Sequence, residues 1–166
     1  LIGGGHVMNN PYPFLHFFDI ICVGEGEQWI LEILRLYAAN PQNIIRDSES
    51  VSGTLTLNNR QIPVIKQYIS DISVNPKYLN RSFAKGHSDT WYIEMGRGCR
   101  SKCAYCELGW TTTFRQVTED KLISDIDSIA KTDCHKINIF APDDFSISSY
   151  ESAINRIIEK KLITNF

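Results

Sequence analysis

Three of the five cysteines, Cys99, Cys103 and Cys106, fall within eight residues, and this constrains the chain more than any other feature. An odd number of thiols with three packed together does not read as a disulfide framework. Clustered thiols point instead to a metal site or to catalysis, and to a reducing compartment. The loop reads Gly96-Arg97-Gly98-Cys99-Arg100-Ser101-Lys102-Cys103-Ala104-Tyr105-Cys106. Thiolates are the ligating form, and three on one tight loop can grip three corners of a cubane cluster. The spacing leaves the fourth iron without a nearby cysteine. An open coordination position is what chemistry at a metal requires, whereas structural sites are closed. Arg97, Arg100 and Lys102 offset the negative charge of thiolates and cluster, and Gly96 and Gly98 let the backbone turn sharply. The alternative is a zinc site that takes Cys134 or His135 as a fourth ligand, although zinc ribbons favour paired Cys-x2-Cys knuckles. Cys22 lies in an apolar run and reads as inert core. Cys134 reads as a helix-end residue.

Around this loop the pattern is that of an α/β protein. A strand over Trp91–Met95 precedes it. Thr118 is a candidate N-cap, with Glu119 and Asp120 suited to the positive end of the helix dipole and Leu122, Ile123, Ile126, Ile129 and Ala130 forming a stripe. Lys136–Phe140 reads as the next strand. Ser148-x-x-Glu151 reads as a capping box for a second helix that buries Ile154, Ile157, Ile158 and Leu162. Strand, helix, strand, helix implies parallel strands with right-handed crossovers. The front of the chain has the same rhythm. A glycine turn, Gly3-Gly4-Gly5-His6, follows a short apolar stub, and Phe17–Val23 reads as a buried strand. A helix follows with Trp29, Ile30, Ile33, Leu34 and Tyr37 on one face, stopped at Asn40-Pro41. Between these halves, Val51–Ile65 reads as a hairpin with Thr54–Leu57 and Gln61–Val64 flanking Asn58-Asn59. The expected organisation is therefore an α/β unit over 1–40, a hairpin-containing linker over 41–88 and a second α/β unit over 89–166. Leu1-Ile2 followed by glycines, and a stop just after a helix, read as the cut ends of something larger.

Composition narrows the partners. A net charge of −2 gives no electrostatic case for nucleic acid, although a local basic face can hide in a neutral total. No apolar run approaches the roughly 18 residues needed to span a bilayer. The first residues lack the basic-then-apolar form of a secretory leader, so the expected location is cytoplasmic.

Cys-x3-Cys-x2-Cys, with the aromatic Tyr105 just before the third cysteine and a strand before the first, resembles the signature of the radical S-adenosylmethionine (SAM) superfamily. The resemblance implies a [4Fe–4S] cluster on Cys99, Cys103 and Cys106, with SAM chelating the fourth iron through its amino and carboxylate groups. It further implies an external one-electron donor of flavodoxin or ferredoxin type and reductive cleavage of SAM to a 5′-deoxyadenosyl radical. Tyr105 is carried over as the residue bordering the adenine. The loop that touches the methionine portion of SAM corresponds to Ala141-Pro142-Asp143-Asp144, which departs from the family's glycine-rich form; Asp143 and Asp144 are its candidate cofactor contacts. Gly3, Gly4, Gly5 and His6, with Asn10-Pro11-Tyr12-Pro13, Phe18-Asp19 and Gly24-Glu25-Gly26-Glu27, resemble the last third of the cobalamin-binding domain that precedes the barrel in many B12-dependent members. The fold so implied is the end of a Rossmann-like cobalamin-binding domain followed by the first βα units of a partial TIM barrel. Glycine turns also follow strands in any α/β protein, a lone His6 is commonly a surface residue, and Glu25 and Glu27 can be solvated helix-start acids. The function implied is a radical SAM enzyme, in the cobalamin-dependent case a methyltransferase acting on an unactivated carbon. The alternatives are cobalamin-independent radical chemistry such as methylthio transfer, or a binding module. No catalytic residue or substrate is legible. Trp110, Thr111–Thr113 and Arg115 are candidate cavity residues, and Arg115 reads equally as a surface residue before a helix.

Overall fold

The computed structural model describes residues 1–5, 9–61, 63–74, 90–132, 136–142 and 148–164. His6, Cys134, His135, Asp143 and Asp144, named above, lie outside them. The chain divides into two compact units, Leu1–Ile69 and Ser70–Phe166. The expected α/β class holds in both.

In the first unit, β1 (Ile2–Gly5) runs parallel to β2 (Ile20–Val23), and α1 (Glu27–Ala39) follows β2. All four residues of β2 are buried. Its two faces seed two apolar clusters: Ile21 and Val23 pack with Leu15 and Leu55 on one side, and Ile20 and Cys22 with Trp29 and Ile33 on the other. Burying such side chains stabilises by about 1.5–3 kcal/mol each. The α1 stripe is only half used: Trp29 and Ile33 are buried, whereas Ile30, Leu34 and Tyr37 are exposed. Leu34 and Tyr37 instead line a shallow apolar groove of about 340 Å³ with Leu1, Ile2, Ile44 and Ile45. Asn40 ends α1 as expected, and α2 (Ile44–Ser48) follows a 3-10 turn at Pro41–Asn43.

Within the stretch 41–88, residues up to Ile69 lie in the first compact unit and those from Ser70 in the second. Among the described residues the expected hairpin does not form. Thr54–Leu55 is β3, and it pairs antiparallel with β2, not with Gln61–Val64. Pro63 has no N–H to give to a ladder, which disqualifies the return arm. The turn at Asn58-Asn59 is real, held by Asn59, whose side chain accepts from the Thr56 N–H at 2.7 Å and donates to the Thr54 carbonyl at 3.0 Å. The indole N–H of Trp29 donates to the Thr54 hydroxyl at 2.8 Å and ties α1 to β3.

Glu25 also departs from expectation. It is not a solvated helix-start acid but is buried to 3% exposure. Its carboxylate accepts the Ile69 N–H at 2.7 Å, and Gln67 pairs with the backbone of Val23 and Glu25. Gly24, at φ +107°, makes this approach possible: a Cβ there would lie 2.3 Å from the Gln67 carbonyl oxygen.

In the second unit, β4 (Thr90–Glu94), β7 (Lys136–Phe140) and β8 (Ile163–Thr164) form a parallel sheet in the order β4-β7-β8. Between them in sequence come β5 (Gly96–Arg97), α3 (Leu108–Thr111), β6 (Arg115–Gln116), α4 (Glu119–Ile129) and α5 (Tyr150–Glu159). Leu122, Ile126 and Ile129 of α4, Ala153 and Ile157 of α5, and Ile93 and Ile137 of the sheet share one core. Ile158, expected inside, is 67% exposed; Ala153 takes the inward place one turn before Ile157. Neither expected cap bond forms. Thr118 stands at the N-cap of α4, but its N–H is satisfied by donation to the Ser73 hydroxyl at 3.0 Å. The capping box fails because α5 starts later, with Ser149 as N-cap, and Ser148 accepts from the Gln116 amide at 2.8 Å.

Candidate cluster-binding loop

The strand preceding the cysteines does not simply stop. After β4, Met95 is buried and donates its N–H to the Phe140 carbonyl of β7. The chain then enters β5, which pairs antiparallel with β6 in the register Gly96↔Gln116 and Arg97↔Arg115. The Val117 N–H donates to the Met95 carbonyl at 2.8 Å and extends this seam. Residues 98–114 therefore form one loop closed at its base, rooted beside the C-terminal end of β4. Ligand sites in parallel α/β folds sit at that end of the strands.

The base of the loop is charged and largely buried. Glu94 and Arg97 form a two-pronged ion pair at 2.5 and 2.8 Å, with side chains 12% and 11% exposed. Cross-strand like charges repel, and Arg97 lies opposite Arg115; the Glu94 carboxylate offsets that repulsion. Arg115 is not the surface residue it could have been. It is buried, and its Nε–H donates to the Thr113 carbonyl at 3.2 Å.

Each of the three cysteines on this loop is half-buried, and no disulfide joins the described cysteines. The Ser101 N–H approaches Cys99 Sγ at 3.3 Å, and the Cys106 N–H donates to the Cys103 carbonyl at 3.2 Å. The three thiols are not drawn to one point: among the described residues, no three His, Cys, Asp or Glu side chains form a group that could hold a metal ion. The donor set nevertheless suits an iron–sulfur cluster, being three accessible soft sulfurs on one closed loop. The cations are held close to the loop. The Arg100 guanidinium sits 4.3 Å from the Phe114 ring centre, and the Lys102 ammonium 5.2 Å from that of Trp110. Tyr105 is 92% exposed.

Two glycines set the loop's shape. Gly98 has φ +72°, and a Cβ there would lie 2.5 and 2.6 Å from the carbonyl oxygens of Thr113 and Thr112. Gly109, in α3, has no such backbone demand, yet a Cβ would meet the Ser101 carbonyl oxygen at 1.8 Å. Sequence reading missed Gly109. Its only signal was a glycine in a short helical stretch, which is tolerated where something must pack closely.

The front glycines resolve differently. A Cβ on Gly3 would strike the Phe18 ring at 2.5 Å, and one on Gly4, at φ +110°, the Cys22 carbonyl oxygen at 2.1 Å. Both are required by packing within the first unit. Only Gly5, at φ +117°, faces open space. Cys22, paired with Gly4 across the β1–β2 ladder, is buried with Trp29 and Ile33, and burial pushes its thiol pKa up to about 12, with help from the nearby Glu27 charge.

Residues 1–63 match the family model described as "Radical SAM proteins, N-terminal". That match ends well before the cysteine loop. The chain is also 23% identical over 156 residues to an uncharacterized protein, MJ0966, of Methanocaldococcus jannaschii. The aligned part is 90% of this chain but only 32% of that relative's length, so the chain spans about a third of it. No solved structure matches the chain. The front-segment match supports a relationship to radical SAM proteins. No helix among the described residues is long and apolar enough to cross a membrane.

Proposed function

We propose that this chain is part of a radical SAM enzyme in which Cys99, Cys103 and Cys106 hold a [4Fe–4S] cluster. The observation that carries the reading is a coincidence of two separate segments. A Cys-x3-Cys-x2-Cys loop is rooted at the end of β4, and the non-overlapping residues 1–63 independently resemble the N-terminal region of radical SAM proteins. When bound, cluster and SAM supply one-electron reductive cleavage of the SAM sulfonium. The protein's own part is to hold and orient. The β5–β6 ladder and the Glu94–Arg97 pair fix the loop's base, while Arg100 and Lys102 supply positive charge beside the thiolates. Tyr105 offers an exposed ring for stacking on adenine. Asp143 and Asp144 follow β7 and are candidates for contact with the methionine portion. Anaerobic reconstitution of the chain with iron and sulfide tests this. About four irons and four sulfides per chain are expected. Alanine at Cys99, Cys103 or Cys106 should remove them, while Cys22→Ala and Cys134→Ala should not. Stoichiometric zinc without iron in an anaerobic preparation would overturn the reading.

The finer reading is a cobalamin-dependent methyltransferase acting on an unactivated carbon, with Gly3, Gly4, Gly5 and His6 at the cobalamin. It rests on the resemblance of the front segment. Gly5 is the residue with room for a ligand's approach, since Gly3 and Gly4 are already packed against Phe18 and β2. Gly5→Val in the full-length enzyme should weaken cobalamin binding, read by its absorbance, and leave iron content unchanged. Normal cobalamin binding by that variant, or turnover without cobalamin, would favour cobalamin-independent radical chemistry with the front unit as scaffold.

A further inference from the structure

We infer that Gly109 and Trp110 form a brace that positions the cysteine loop for cluster binding, acting through backbone carbonyls and not through the thiols. The inference rests on the reading of Cys99, Cys103 and Cys106 as cluster ligands. Its basis is a run of contacts from one short helix. At Gly109, the position of a Cβ is occupied by the Ser101 carbonyl oxygen at 1.8 Å, with the Ser101 carbonyl carbon at 3.0 Å and the Cys99 carbonyl oxygen at 3.4 Å. The next residue, Trp110, donates its indole N–H to the Cys103 carbonyl oxygen at 3.2 Å. Two consecutive residues of α3 therefore touch the backbone of Cys99, Ser101 and Cys103, the stretch that carries the first two thiols. The Trp110 ring also carries Lys102 on its face, which fixes the residue between Ser101 and Cys103 as well.

The short helix α3 has its own backbone bonds. The N–H groups of Trp110 and Thr111 both donate to the Glu107 carbonyl, at 2.9 and 3.0 Å, and that of Thr112 to the Leu108 carbonyl at 3.0 Å. The far side of the same loop is fastened at Gly98, against the carbonyls of Thr112 and Thr113 just after α3. The loop is thus folded back on itself and held at two crossings, each open only to glycine. Partners that orient ligands without touching the metal commonly matter 10–100-fold in metal affinity or activity. Gly109 and Trp110 are accordingly positioning residues.

A methyl group at residue 109 must push Ser101 away by more than an ångström, because real Cβ contacts to backbone oxygen do not fall below about 3 Å. Cys99 and Cys103 move with it. The test uses the whole chain, reconstituted anaerobically with ferrous iron and sulfide, in wild-type, Gly109→Ala and Trp110→Phe forms. Three readouts are taken: iron and sulfide per chain, the rate of iron removal by a chelator, and the electron paramagnetic resonance spectrum of the reduced cluster. Iron loss about tenfold faster in Gly109→Ala, with an altered spectrum, is expected. A smaller change in the same direction is expected in Trp110→Phe, which keeps a ring but loses the donor. Far-UV circular dichroism of the apo chain should match wild type in both variants, which shows that they fold. If Gly109→Ala does not fold, Trp110→Phe decides alone. Chelator rates and spectra equal to wild type in the folded variants would overturn the brace while leaving the cluster reading intact. A wild-type chain whose iron content is indifferent to Cys99→Ala, Cys103→Ala and Cys106→Ala would overturn the cluster reading, and the brace with it.

Discussion

Glu25→Ala should loosen the first unit at one identifiable amide. The Glu25 carboxylate accepts the Ile69 N–H at 2.7 Å, with Glu25 3% and Ile69 6% exposed. A hydrogen bond to a charged group contributes about 1.5–3 kcal/mol, and a buried donor left without its acceptor costs about 1–3 kcal/mol. These describe one loss from two sides and do not add, so about 2 kcal/mol is expected. Against a typical total of about 5–15 kcal/mol this is a large share. Neighbouring backbone bonds from Gln67 to Val23 and Glu25 should survive, because they depend on Gly24 and not on the carboxylate. The effect is therefore local. Amide hydrogen exchange by nuclear magnetic resonance should show Ile69 exchanging about 30-fold faster, as 2 kcal/mol implies, with the amides of β2 little changed. Glu25→Gln, which keeps an acceptor oxygen but loses the charge, should restore most of the protection. Unaltered Ile69 exchange in Glu25→Ala would refute the argument that this buried acid clasps the chain where it leaves the first unit.

Cys22, with its thiol pKa raised to about 12 by burial, should resist iodoacetamide in the native apo chain at pH 8 and react only on unfolding, read by peptide mass spectrometry; Cys99, Cys103 and Cys106 should be modified first. Ile126→Ala, at a fully buried position in the second unit's core, should destabilise by about 2–5 kcal/mol in urea unfolding. The Asp127 carboxylate accepts from Arg156 at 2.6 and 2.7 Å, linking α4 to α5, and this hydrogen bonding holds its pKa below the ordinary value. That contribution is present above the unfolded pKa of about 3.9 and is lost as pH falls through the lower folded value. Asp127→Asn should accordingly flatten the decline of the melting midpoint below about pH 4, whereas a decline identical to wild type would place the acid sensitivity elsewhere.

Elements whose signal is local could be read from the chain alone. The apolar stripe Leu122, Ile126, Ile129 specified α4, and the five-residue run Lys136–Phe140 specified β7, because side-chain periodicity fixes which face can be buried. The spacing of the cysteine triplet is also written in the chain and needs no distant partner, whereas the placement of the three thiols relative to one another depends on how the loop folds. What failed were assignments that depend on a neighbour's identity. Thr54–Leu55 could pair with a return arm or with β2, and the buried edge of β2 won over an arm interrupted by Pro63. Ile158 and Leu34 satisfy a helical stripe, yet only tertiary packing decides how wide a stripe the core covers, and both lie outside it. Glu25 and Arg115 look like surface charges in a linear reading. Glu25 is buried because backbone from far along the chain, Ile69 and Gln67, closes over it, and Arg115 is buried within the β5–β6 pair, opposite Arg97, 18 residues earlier. Gly109 is the extreme case: nothing in its neighbours' identity shows that a carbonyl eight residues back occupies the place of its missing side chain. Distance in sequence hides such contacts, and only folding brings the two backbones together.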